Sequence, residues 1–70
     1  MRMTLPEAIT YALVQRNGGM TTGQVALAIN RNHWHVRKDG KPVTPAQIYA
    51  AIKRYPSQFC KAEGRVMLLI

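Results

Sequence analysis

Residues able to do covalent chemistry are few in this chain and poorly assorted for it. Cys60 is the one cysteine, and His33 and His35 are the two histidines. A Cys–His nucleophile pair needs thiolate and imidazole within hydrogen-bond reach. Cys60 follows Phe59 in a run that reads as a strand, where a small thiol ordinarily packs inside. The same three side chains lack Cys-x-x-Cys or helical histidine spacing, so no metal site is expected. Three residues are acidic. Glu7 stands three after Thr4, in position to cap a helix, while Asp39 and Glu63 each precede a glycine and belong to turns. General acid–base catalysis therefore lacks its paired groups, and no glycine-rich motif cradles a phosphate. The expectation is a chain with no catalytic residue, no metal and no cofactor.

Basic side chains are plentiful instead. Ten Lys/Arg against three Asp/Glu give a net charge of +7. From Arg31 onward lie Arg31, Arg37, Lys38, Lys41, Lys53, Arg54, Lys61 and Arg65, opposed there only by Asp39 and Glu63. A positive field of this density attracts polyanions, of which nucleic acid is the commonest in a cytoplasm.

The elements that position these residues are well marked. Thr4-Leu5-Pro6-Glu7, Thr21-Thr22-Gly23-Gln24 and Thr44-Pro45-Ala46-Gln47 each match the capping box, Ser/Thr followed three later by Glu/Gln. Met3, Met20 and Val43 precede the threonines, with Ala8, Val25 and Ile48 as their staple partners. Three helices follow. The first repeats Leu5, Ala8, Ile9, Ala12 and Leu13 at helical spacing and stops at Asn17-Gly18-Gly19. The second runs from about Thr22 to about Arg31, with Val25, Ala28 and Ile29 inward. The third turns Ile48, Ala51, Ile52 and Tyr55 inward and ends before Pro56. Its outer face shows Ala46, Gln47, Tyr49, Ala50, Lys53 and Arg54.

The period then changes. Gln58–Ala62 and Arg65–Ile70 read as a hairpin around Glu63-Gly64, pairing Ala62 with Arg65. That register puts Phe59, Val66, Leu68 and Ile70 on the covering face, and Cys60, Met67 and Leu69 on the other. A short extended piece at Gly19-Met20 offers a third strand. Asn32 to Val43 forms a connection far longer than a tight helix-turn-helix corner. It holds Trp34 as a packing residue and a tight reversal at Asp39-Gly40.

Helix, short strand, helix, helix, hairpin is the order of a winged helix-turn-helix: mainly α, with a two- to three-stranded antiparallel wing, over a single domain spanning residues 1–70. An α-helix fits the major groove of B-DNA. On that reading the third helix, about residues 45–55, enters the groove. Lys53 and Arg54 contact phosphate, Gln47 pairs with adenine, and Tyr49 lies along a sugar or bonds a phosphate. The loop residues Arg37, Lys38 and Lys41 and the wing residues Lys61 and Arg65 hold the backbone. The aromatic side chains, 7% of the chain, are too sparse for a single-strand stacking sheet.

These residues also resemble a known family. Thr4-Leu5-Pro6-Glu7-Ala8-Ile9, then Met20-Thr21, then Arg37 through Ile48 with its Asp39-Gly40 loop, are similar to the HARE-type helix-turn-helix domains. Tyr55-Pro56-Ser57-Gln58-Phe59 and Gly64-Arg65-Val66-Met67-Leu68 resemble that family's closing strand pair. The resemblance covers nearly the whole chain and implies a winged-helix module that binds double-stranded DNA. It carries no short DNA-contact motif across, and the tight Glu63-Gly64 wing departs from long-winged relatives.

An alternative expectation stays open: a protein-interaction or dimerisation module that uses the apolar outer hairpin face at Met67 and Leu69, with a second copy or a fused domain as partner. Other classes are disfavoured by composition. With 70 residues, 47% of them apolar, the chain is globular with a thin core. No apolar run approaches the ~18 residues of a membrane span. The start lacks a secretory pattern, and a lone cysteine fits a reducing compartment. A cytoplasmic location is expected, on the nucleoid if the source is bacterial.

Overall fold

The computed structural model describes residues 3–16 and 19–69. Three helices are followed by a hairpin: α1 (Leu5–Arg16), α2 (Thr22–Asn32), α3 (Pro45–Arg54), β1 (Phe59–Ala62) and β2 (Arg65–Leu68). Of the expected features, the Asn17-Gly18 part of the first stop and Ile70 on the hairpin face lie outside the described residues.

All three helices start as their sequences dictate. The first four amides of a helix have no partner inside it, so each start needs outside acceptors. Thr21 Oγ1 accepts the Gln24 N–H at 3.1 Å while Gln24 Oε1 accepts the Thr21 N–H at 3.0 Å. Thr44 and Gln47 repeat the exchange at 3.2 and 3.0 Å. At α1 the Thr4 N–H donates to Glu7 Oε1 at 2.9 Å and Thr4 Oγ1 accepts the Glu7 N–H at 3.4 Å. α2 ends on His33, whose left-handed φ of 55° turns the chain so that the Trp34 N–H reaches back to the Ile29 carbonyl at 3.1 Å.

One core joins the elements. Ile9 from α1, Val25 and Ile29 from α2, Ile48 from α3, Phe59 from β1 and Val66 from β2 are its largest fully buried side chains. Each contributes roughly 1.5–3 kcal/mol by leaving water. The staple residues Met20 and Val43 are buried in the same cluster, and Met3, Trp34, Tyr55 and Leu68 pack against it half-buried. Ala26 is buried while Ala28, expected inward, is only half-buried, because the core meets α2 nearer the Ala26 side.

The hairpin has the expected register, Phe59 opposite Leu68 and Ala62 opposite Arg65. Its turn holds Glu63 at φ 53° and Gly64 at φ 78°. Positive φ at both central positions is the turn whose twist matches the strands. The Gly19-Met20 segment does not become a strand. It makes one antiparallel bridge, in which Met20 and Val66 exchange both backbone bonds at 3.1 and 2.6 Å. Gly19 lies so close to the hairpin that a Cβ there would meet Arg65 Cβ at 3.0 Å.

Candidate nucleic-acid interface

α3 presents the candidate surface. Its buried residues Ile48, Ala51 and Ile52 fix its rotation, so Ala46, Tyr49, Ala50, Lys53 and Arg54 are left exposed. Ala46 and Ala50 keep the middle of that face shallow. Tyr49 and Lys53, four apart, share one flank, where β1 delivers Lys61. The Lys61 ammonium lies 4.7 Å and the Lys53 ammonium 5.5 Å from the centre of the Tyr49 ring. A ring face attracts cations at these distances, so the phenol holds two ammonium groups together that would otherwise repel. Neither lysine has a carboxylate within ion-pair distance among the described residues. The result is a compact doubly positive cluster in water.

The other expected site residues are distributed differently. Arg54 lies on the opposite flank of α3, bordering a shallow groove with Gln47, Ala50 and the Leu5-Pro6 start of α1. Gln47 is half-buried, and its side-chain oxygen takes the Thr44 N–H. A bidentate adenine contact uses the whole amide edge, and in this structure the oxygen of that edge is taken by the cap. Arg65 reaches sideways along the hairpin and donates from Nη1 to the Gly19 carbonyl at 3.1 Å.

In the connection between α2 and α3, Arg37 is held inside the loop. Its guanidinium pairs with the Asp39 carboxylate at 2.6 Å and donates to the Pro42 carbonyl at 3.2 Å. Asp39 also accepts the Lys41 N–H at 3.0 Å, and Gly40 takes φ 76°. The Arg37 charge is thereby matched locally, whereas Lys38 and Lys41 remain exposed. Of nine expected contact residues, the fold gathers Tyr49, Lys53 and Lys61 into one cluster.

Sequence reasoning missed Asn30. Its side-chain amide donates to the Val43 carbonyl and accepts the Val43 N–H, both at 2.9 Å. This double bond pattern ties the end of α2 to the residue before the α3 cap and so sets where α3 stands. Trp34 is half-buried against the core, edge-on to Tyr11 of α1 at 4.9 Å between ring centres. His35 Nδ1 lies 2.7 Å from the Met3 carbonyl. A carbonyl only accepts, so that nitrogen carries the proton.

Among the described residues no group of three His, Cys, Asp or Glu side chains is arranged to hold a metal ion. Among them, too, no helix is long and apolar enough to cross a membrane. Met67 and Leu69 are exposed on the outer hairpin face, at 43% and 52%, and Cys60 is half-buried beside them.

Comparison with protein-family models, with curated proteins and with solved structures finds no match to this chain.

Proposed function

We propose that this chain is a winged helix-turn-helix module that binds double-stranded DNA without catalysis, as its resemblance to the HARE-type domains implies. The observation that carries the reading is the Tyr49–Lys53–Lys61 cluster. Two ammonium groups held by one ring, at the seam of α3 and the hairpin, suit a phosphate backbone passing between helix and wing. The element order supports the same architecture. The Met20 segment bonds to β2 and leaves β1 on the far side, which is the strand order of a winged helix. The shallow Ala46–Ala50 strip lets the helix axis come close to the groove floor. Recognition on this reading is dominated by phosphate contact and weak in base reading, because Gln47 is engaged in its cap.

Fluorescence anisotropy with a short mixed-sequence duplex tests it. Affinity should fall steeply with salt, each neutralised phosphate contributing about 0.9 to the log–log slope. Replacing Lys53 and Lys61 together by Gln should weaken binding at least about tenfold at low salt and flatten the slope by about two. Unchanged affinity in that double variant sinks the proposal.

A further inference from the structure

Lys61 occupies an unusual place for a charged side chain. In the hairpin register it stands opposite Val66 and two residues beyond Phe59. Residues directly opposite one another, or two apart along a strand, share one face of a sheet. Val66 and Phe59 are buried, so Lys61 shares the face that packs against the helices. Lys61 is nonetheless exposed, its stem carrying the ammonium out past the edge of the core. The charge emerges over Tyr49 of α3, 4.7 Å from the ring centre. Lys53, one turn further along the same helix, approaches that ring at 5.5 Å.

A tyrosine between two lysines can serve a polyanion site in two ways. Its hydroxyl can bond a sugar or phosphate itself, or its ring can hold the cations that do. The distances favour the second, since both ammonium groups lie within the roughly 6 Å at which a ring face attracts a cation. A lysine free in water samples many rotamers, and ordering it at an interface costs affinity. Two lysines gathered on a ring have given up part of that freedom before any ligand arrives. We propose that Tyr49 is a positioning residue for phosphate-backbone binding: its ring, not its hydroxyl, gathers Lys53 and Lys61 for the phosphates. This inference rests on the duplex-binding reading and replaces the direct sugar or phosphate contact expected of Tyr49.

Salt separates the ring from its lysines. Removing a lysine removes a cation, so affinity drops and its dependence on salt flattens. Removing the ring leaves both cations in the chain. Affinity then drops because the cations are no longer gathered, while the salt slope stays near the parent's.

The test compares Tyr49→Leu and Tyr49→Phe with the parent and with the Lys53→Gln, Lys61→Gln double variant. Fluorescence anisotropy with the mixed-sequence duplex is read over about 0.05–0.2 M salt. Tyr49→Leu should bind roughly threefold to tenfold more weakly at every salt concentration, on a line parallel to the parent's. Tyr49→Phe keeps the ring and should restore the parent's affinity. Tyr49 is 44% exposed, so both variants should keep the parent's circular dichroism. Proton NMR of the free chain adds a readout that fold alone does not move. The ε-methylene protons of Lys53 and Lys61 should be shifted upfield by the ring in the parent and in Tyr49→Phe. In Tyr49→Leu they should return to the ordinary lysine position.

Parental affinity in Tyr49→Leu overturns the inference. So does a Tyr49→Phe variant as weak as Tyr49→Leu, which would give the role to the hydroxyl, and so do lysine protons unshifted in the parent. Each of these leaves the duplex reading standing, provided the double lysine variant binds weakly. If that double variant binds like the parent, the duplex reading falls and this inference falls with it.

Discussion

Glu7 shows how much one exposed side chain does at a helix start. Its carboxylate accepts the Thr4 N–H at 2.9 Å and the Thr4 hydroxyl at 3.0 Å. Those two bonds, the backbone one first, hold the carboxyl below its ordinary value of 4.5. A depressed folded-state value means that the folded chain prefers the ionised form. The stabilisation is therefore complete above about pH 4.5 and is lost as pH falls through the lower folded value. Glu7→Gln keeps a capping acceptor and removes the titration. Thermal unfolding followed from pH 6 down to about pH 3 should then show a shallower acid decline in the variant. Identical pH profiles would remove Glu7 from the account. At this scale the sequence was legible where both partners are close along the chain. Thr4 and Glu7, or Tyr49 and Lys53, are three or four apart on one helix. Lys61 joins Tyr49 only through the docking of β1, which no local spacing announces. Gln47 carried two readable roles, cap and base reader; the cap is the one formed within the chain, because its donor, the Thr44 N–H, lies three residues away.

Elements were legible where their ends are chemically marked. Three capping boxes fixed the helix starts, and the turn at Glu63-Gly64 fixed the hairpin register through its two positive φ angles. What joins the elements was marked only in part: Gly19-Met20 read as an extended piece, but its partner on the hairpin did not. The Met20–Val66 bridge spans most of the chain, and its two backbone bonds belong to no side-chain pattern. Asn30 reads as an ordinary polar position on α2, yet it satisfies both backbone groups of Val43, thirteen residues on. Val43 is only 4% exposed, so no water replaces those bonds if the amide is removed. Asn30→Ala leaves a buried N–H and C=O unpaired and should destabilise the chain by about 1–3 kcal/mol in urea unfolding. Asn30→Asp should be no milder, because a carboxylate accepts the Val43 N–H but faces the Val43 carbonyl with no proton to give. A loss under about 0.5 kcal/mol, the range of a neutral surface change, would mean that Asn30 does not hold α2 to the α3 start.

Across the whole molecule the decisive quantity is unbalanced charge on a small core. The described residues contain one ion pair, Arg37–Asp39, and the +7 that remains after every carboxylate is counted is uncompensated self-repulsion. Uptake of one proton by each of three carboxylates and two histidines takes the chain from +7 to +12. The repulsion that salt can still relieve is between near cations such as Lys53 and Lys61, 5.5 and 4.7 Å from one ring centre, which lie within the screening length of about 10 Å at 0.1 M salt. Added salt should therefore raise the unfolding temperature, more at about pH 2 than at pH 7, in contrast to a protein held by surface ion pairs. A short DNA duplex should also raise it by mass action, since a ligand that binds only the folded chain stabilises it. The two effects run in opposite directions with ionic strength. Salt alone stabilises as it increases, while the increment due to duplex shrinks as counterions compete for the phosphates. Scanning calorimetry at pH 7 with and without duplex, over about 0.05–0.5 M salt, should give two curves that converge at the high end. Curves that stay parallel would show a duplex increment independent of phosphate contact, and that would break the link drawn between the basic surface and its polyanion partner.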